Sequence, residues 1–247
     1  GTVSVDFCDS GSCDKYTSHN RNSLLTRIGI TIMTETMRIV VTGGAQGIGF
    51  VTAETLLSEN YEVIIVDKNP DTLKEAGKKL NCETANFDVT NETEVADFFA
   101  SLKEIDALVN NAGIWIPQQL SEMSLTLQSE VIQVNLMGTV HCTKYALPKM
   151  RKTSKSAIIN LTSAAAKTNS PGLGLYAASK SAIETLTQQW ALELAPIRVN
   201  AVGPGLIVTE GTSANYEGSA REQRANAVPL KRVGEPLCSC AILQNSL

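Results

Sequence analysis

Five short apolar runs constrain this chain most: "RIVVT" (38–42), "YEVIIV" (61–66), "IDALVN" (105–110), "SAIINLT" (156–162) and "IRVNAV" (197–202). Each is too short for a helix and rich in β-branched residues. Their cores stay apolar at successive positions instead of alternating, so both faces of each strand must be covered. Helical patterns fill the gaps, at 47–59, 71–80, 91–103, 121–151 and 176–194. Pro70-Asp71 and Asn91 supply helix starts. Strands alternating with helices predict an α/β fold, a doubly wound parallel sheet with helices on both faces. At 247 residues and 43% hydrophobic, the chain can bury the core of one such domain.

The two ends read differently. Residues 1–36 are polar and Ser/Thr-rich without period, and "MTETMRIVVTGG" offers a natural start at Met33 or Met37. They are expected to be a disordered or appended extension. Arg21 and Arg27 suit a transit peptide, but Asp6, Asp9 and Asp14 do not. The chain carries a net charge of −4 and has no basic run, which argues against nucleic acid and anionic membranes as partners. No run of 18 apolar residues could span a bilayer. A soluble, cytoplasmic protein is expected. The six cysteines (8, 13, 82, 142, 238, 240) and two histidines (19, 141) do not have metal-site spacing, so no metal is expected.

The first strand runs into "TGGAQGIG" (42–49), directly before a helix. Gly43, Gly47 and Gly49 permit a tight turn and close backbone approach. The helix amino terminus, with Gln46 and Ile48 beside it, offers free N–H groups to a pyrophosphate. Asp67 follows at the end of the second strand, eighteen residues after Gly49. A carboxylate there accepts both ribose hydroxyls of an adenosine and repels a 2′-phosphate, so NAD is expected over NADP. Lys68 beside it would soften that preference.

The pattern T-G-x3-G-x-G resembles the short-chain dehydrogenase/reductase family, and the likeness runs from about residue 37 to 236. It implies a Rossmann-like fold and a nicotinamide cofactor. "FDVT" (87–90) resembles the adenine-contacting turn, implying Asp88 and Val89. "NNAG" (110–113) resembles the segment over the adenosine ribose, implying Asn111, Ala112 and Gly113. "PGLIVT" (204–209) resembles the turn at the nicotinamide carboxamide, implying Pro204, Gly205, Ile207 and Thr209. "VNLMG" (134–138) matches the helix bearing a catalytic asparagine, Asn135, which in the family helps a water connect the lysine to solvent. "INLTS" (159–163) supplies Ser163.

Two stretches place a tyrosine four residues before a lysine, "YAASK" (176–180) and "YALPK" (145–149). Ser163 lies thirteen residues before Tyr176, the family spacing, whereas Ile132 lies thirteen before Tyr145. Tyr176 and Lys180 are therefore the candidate pair, and Tyr145 is expected to pack. A phenol titrates near 10, so a base active near neutral pH needs about 3 units of lowering, about 4 kcal/mol. A cation one helical turn away favours the phenolate. By the resemblance, Lys180 also holds the nicotinamide ribose, and Ser163 donates to the substrate oxygen.

The expected activity is hydride transfer between NAD(H) and a secondary alcohol or ketone. Alternatives are a cofactor-binding protein with little turnover and an NADPH-linked 3-ketoacyl reductase. Trp115, Ile116, Leu173 and the loop 206–227 are expected to line the pocket. A homo-oligomer is expected through helices 121–151 and 176–194. In the family, "VPLKRVGEP" (228–236) leads into a final helix and strand. Here only "LCSCAILQNSL" follows, at most about 16 Å of helix, so both elements are expected to be lacking and part of one sheet face to be bare. Marginal stability without cofactor and weak activity would result.

Overall fold

A computed structural model describes residues 36–247, so the expected amino-terminal extension falls almost wholly outside the described residues. The strands are β1 (Arg38–Thr42), β2 (Glu62–Asp67), β3 (Glu83–Asn86), β4 (Ala107–Asn110), β5 (Ala157–Leu161) and β6 (Arg198–Val202). They form one sheet in the order β3-β2-β1-β4-β5-β6, with every pairing parallel. The helices are α1 (Gly47–Ser58), α2 (Pro70–Leu80), α3 (Glu92–Ser101), α4 (Leu125–Ile132), α5 (Gly138–Ala146), α6 (Gly174–Glu193), α7 (Ser219–Asn226) and α8 (Pro236–Ser246).

The pleat sends alternate residues to opposite faces, and each face has its own core. Val40, Ile64, Leu108, Ile158 and Val199 pack with Val95 and Phe99 of α3 and Cys142 and Ala146 of α5. Ile39, Val41, Ile65, Val109 and Ile159 pack with Ala53 and Leu56 of α1 and Leu73 and Ala76 of α2. This is why the strand sequences are apolar at successive positions. Helix starts follow local chemistry. The Asn69 side chain accepts from the Asp71 and Thr72 amides at 3.0 and 3.2 Å, ahead of Pro70 at the first helical position. Asn91 accepts from the Glu94 amide and donates back to its carboxylate at 2.8 Å.

Four features differ from the sequence reading. Strand β3 has no apolar signature because its residues are exposed at the sheet edge except for half-buried Ala85. The segment read as one helix over 121–151 is broken by a π turn at Gln133–Met137, which separates α4 from α5. The loop 206–227 contains α7. Lastly, the final residues do form a helix, which corrects the expectation that this element is lacking. Helix α8 lies on α1 and against β5 and β6, with Cys240 Sγ 3.3 Å from Thr52 Oγ1. Arg198 grips its end, donating to Ser246 O at 2.8 Å and to Leu247 O. Eleven residues suffice to cover the face but not to add a strand, so β6 remains an edge among the described residues.

Phe99 is fully buried and stacks edge-on against Phe98, with ring centroids 5.0 Å apart. Phe99→Ala should cost about 3–5 kcal/mol. Leu192→Ala, at a site 81% exposed, should stay within about 0.5 kcal/mol. Urea midpoints at unchanged slope check both values, and equal losses would contradict this placement of the core.

Candidate active site

Because every strand is parallel, all the carboxyl ends share one edge, and the strand order reverses between β1 and β4. In a doubly wound sheet, such a reversal is where a ligand crevice lies. The glycine-rich turn sits at its floor. Gly43 and Gly47 adopt φ of +63° and +57°. A Cβ on Gly49 would lie 2.2 Å from Gly43 O, so only glycine lets α1 start this close to the turn. The turn is braced from behind. Thr42 Oγ1 accepts from the Asn111 and Ala112 amides, both at 3.1 Å. Asn111 Nδ2 donates to Thr42 O and Gly43 O, both at 2.9 Å. Asn111 thus holds the turn's shape. Gln46 is exposed at the amino end of α1 and makes no side-chain cap, and Ile48 packs partly against the core.

An acid that the sequence reading missed fills that cap. Glu210 Oε2 accepts from the Gly47 N–H at 2.9 Å, across 163 residues of sequence, and a Cβ on Gly47 would lie 3.3 Å from Thr209. The carboxylate stands where a phosphate oxygen would accept from the helix amino terminus. The cradle and this stand-in anion fit a dinucleotide. Its sequence neighbour Thr209 was the only available signal. The "PGLIVT" segment is held in place from both sides. Ala164 N donates to Pro204 O at 2.9 Å, and Ile207 bridges Gly234 in parallel. Gly205 faces open space.

Asp67 ends β2 beside the turn. Its Oδ2 accepts from the Ala45 amide at 3.3 Å and its Oδ1 from the Asn69 amide at 3.2 Å. Lys68 turns away to Glu130, at 3.8 Å. Asp88 caps its own turn, taking the Thr90 amide and hydroxyl at 2.9 Å. Val89 is buried beneath Gly138, where a Cβ would meet Val89 Cγ2 at 2.6 Å.

Ser163, Tyr176 and Lys180 converge from β5 and α6. Ser163 Oγ accepts from the Ala165 amide at 3.1 Å, and the Ser163 side chain lies near enough to the Tyr176 phenol to act on its titration. Lys180 Nζ donates to Leu161 O at 2.8 Å and lies 6.0 Å from the Tyr176 ring centroid. Burial pushes the phenol above its ordinary value, and Ser163 opposes that rise. Burial lowers Lys180 to about 8. This differs from the sequence-based expectation of a lowered phenol. In the protein alone, burial is the largest influence on both groups and disfavours the charged form of each.

Asn135 sits in the π turn, fully buried. Its Oδ1 accepts from Ile114 N at 2.8 Å, and its Nδ2 donates to Ile114 O at 3.0 Å and Ser179 Oγ at 3.3 Å. The side chain clamps the segment after Gly113. A Cβ on Gly113 would lie 3.2 Å from Asn135 Oδ1 and 3.4 Å from Lys180 Nζ, so these three residues meet. Trp115 and Ile116 continue that segment. The Gln118 amide donates to Gly172 O at 2.8 Å, which brings Leu173 alongside. Tyr216, also missed, is buried in the segment 206–227 near Tyr176, with Arg224 5.4 Å from its ring centroid.

The rival pair points elsewhere. Tyr145 donates to Glu92 Oε1 at 2.7 Å, and Lys149 Nζ donates to Ala100 O at 2.9 Å and Leu102 O at 2.8 Å. Both tie α5 to α3. Among the described residues no group of three His, Cys, Asp or Glu side chains could hold a metal, and no helix is long and apolar enough to cross a membrane.

The short chain dehydrogenase family model matches residues 37–220. The chain is 37% identical over 208 residues to the 3-oxoacyl-[acyl-carrier-protein] reductase FabG of Thermotoga maritima, covering 80% of this chain and 84% of that one. Its fold matches a short-chain dehydrogenase/reductase of Brucella melitensis described as a glucose/ribitol dehydrogenase. The TM-score is 0.79 at 30% identity, over 84% of this chain and 87% of that one. It also matches ElxO with NADP bound, with TM-score 0.79 at 30% identity, over 85% and 91%. With a parallel six-stranded sheet and a glycine-rich first turn, this oxidoreductase belongs to the short-chain dehydrogenase/reductase family.

Proposed function

We propose that the protein transfers hydride between NAD(H) and a secondary alcohol or ketone, with Tyr176 as acid and base. The observation that carries this reading is the meeting of Ser163, Tyr176 and Lys180 at the carboxyl edge of the sheet. When bound, the nicotinamide ring accepts or supplies the hydride. The Gly43–Gly49 turn and the Gly47 N–H would hold the pyrophosphate, and Asp67 would hold the adenosine ribose. Pro204, Gly205, Ile207 and Thr209 would bound the nicotinamide side of the crevice, and Asp88 and Val89 the adenine side.

Ser163 has one proton to donate, to the substrate oxygen or to the phenol, and it favours negative charge on whichever receives it. With its value raised by burial, the Tyr176 phenol is protonated at neutral pH and ready to donate to a carbonyl. Oxidation of an alcohol needs the phenolate and is favoured in the alkaline range. Lys180 supports the phenolate while it is an ammonium. The 3-oxoacyl reductase relative and the neighbour with NADP bound favour a second reading, a reductase using NADPH on a ketoacyl substrate. The Asp67 carboxylate beside the turn favours the first. Exposed Leu125 on α4 and Leu192 on α6 support association of copies through these helices.

Tyr176→Phe should lower turnover at least about a hundredfold and leave NAD binding intact, while Tyr145→Phe should change turnover little. Assays over a panel of sugars, steroids and short hydroxy acids at the NADH band read both, and equal losses would remove the assignment. Asp67→Ser should shift the NAD-to-NADP ratio of kcat/KM at least about tenfold toward NADP, about 1.4 kcal/mol. A wild-type preference for NADP would refute the cofactor reading.

Lys180 also makes a pH prediction. Its folded value, about 8, lies below the ordinary 10.5, so the unfolded chain holds more protons between the two. Its destabilising contribution is full below about pH 8 and fades as pH rises toward 10.5. Urea unfolding of the cofactor-free protein at pH 7, 8 and 9 should show stability rising relative to Lys180→Met, and parallel curves would contradict a buried ammonium.

A further inference from the structure

A buried acid outside the reacting triad lies on the same helix face. Glu184 follows Lys180 by one turn of α6, its side chain is 6% exposed, and its carboxylate is paired with the Lys167 ammonium, which is 58% exposed. Lys167 closes the single 3-10 turn Ala164–Ala166 that Ser163 begins. The same turn is tied to α6 a second time, by Ser181 Oγ donating to Ala166 O at 3.1 Å, and to the loop after β6 by Ala164 N donating to Pro204 O at 2.9 Å. Within it, Ser163 Oγ accepts from the Ala165 amide at 3.1 Å, which fixes the rotamer of the hydroxyl facing Tyr176.

Burying a carboxylate and pairing it seldom stabilises a fold more than an apolar residue of similar volume would. An apolar residue could have covered this face of α6. It could not have reached across to the far end of the serine's turn. The pair spans from the helix that carries Tyr176 and Lys180 to the segment that carries Ser163, two elements whose relative position decides whether the hydroxyl and the phenol meet.

We propose that Glu184 is a positioning residue: through Lys167 it holds the Ser163–Lys167 turn against α6 and so keeps the Ser163 hydroxyl on the Tyr176 phenol. The inference rests on the Ser163–Tyr176–Lys180 reading of the site, but it is tested without turnover. In cofactor-free protein labelled at tyrosine Cζ with ¹³C, the Tyr176 line at pH 7 is assigned by its loss in Tyr176→Phe. Glu184→Gln keeps the shape and removes the charge. It should move that line in the same direction as Ser163→Ala, and it should add nothing in the Ser163→Ala background. Lys167→Met should reproduce the shift from the exposed end of the pair, and Lys167→Arg, which keeps the cation, should restore the wild-type line.

With a secondary alcohol from the panel, kcat of Glu184→Gln should fall ten- to hundredfold while the KM for NAD stays within about twofold. An unmoved Tyr176 line in folded Glu184→Gln and Lys167→Met, or additive shifts of Glu184→Gln and Ser163→Ala, would overturn the proposal. Full turnover in Tyr176→Phe would instead overturn the functional reading and leave the positioning result standing.

Discussion

A sheet whose strands all run the same way places every carboxyl end on one edge, and the rest of this protein follows from that constraint. The hydrogen-bond registers from β3 to β6 set the level of that edge. The reversal of order at β1 then parts the crossover helices and leaves a crevice above β1 and β4. Asp67, Asn111, Ser163 and the segment after Val202, from distant parts of the sequence, arrive there because each ends or follows a strand. Two-sided burial gives this arrangement its rigidity, since each face of the sheet has a closed core.

Around the crevice, polar groups hold one another in place more than they face outward. Asn111 braces the glycine-rich turn, Asn135 braces the segment after Gly113, and Lys180 bonds to the end of β5. The π turn at Gln133–Met137 is part of this brace, because it lies where Asn135 reaches Ile114. Such turns recur at functional sites for this reason: one extra residue in a turn redirects a side chain without ending the helix. The cost of the design is a buried ammonium and a buried phenol, both shifted against their charged forms. Groups that are hard to charge in the protein alone respond strongly to any charge that enters the crevice.

Glu210 on the Gly47 amide shows the same logic at the anion cradle. A helix amino terminus draws a negative group, and in this protein the chain supplies one from the segment that follows β6. That contact links the segment after β6 to the glycine-rich turn, so the two meet in space although they lie far apart in sequence.

The sequence by itself determined the α/β alternation, the parallel sheet and the glycine-rich turn, and it singled out Tyr176 over Tyr145 as the candidate. These are written in local patterns, in spacing, and in a family resemblance covering most of the chain. It could not show β3, because an exposed edge strand has no reason to be apolar, nor the π turn, whose Asn135 bonds to a residue twenty-one positions away. The closing helix α8 was misjudged because its stability comes from α1 and Arg198, not from its own eleven residues. Glu210, Tyr216 and the Lys167–Glu184 pair became visible only in the folded chain. The tertiary structure decided these because desolvation and long-range pairing depend on which groups share a dry space. No periodicity along the chain encodes that.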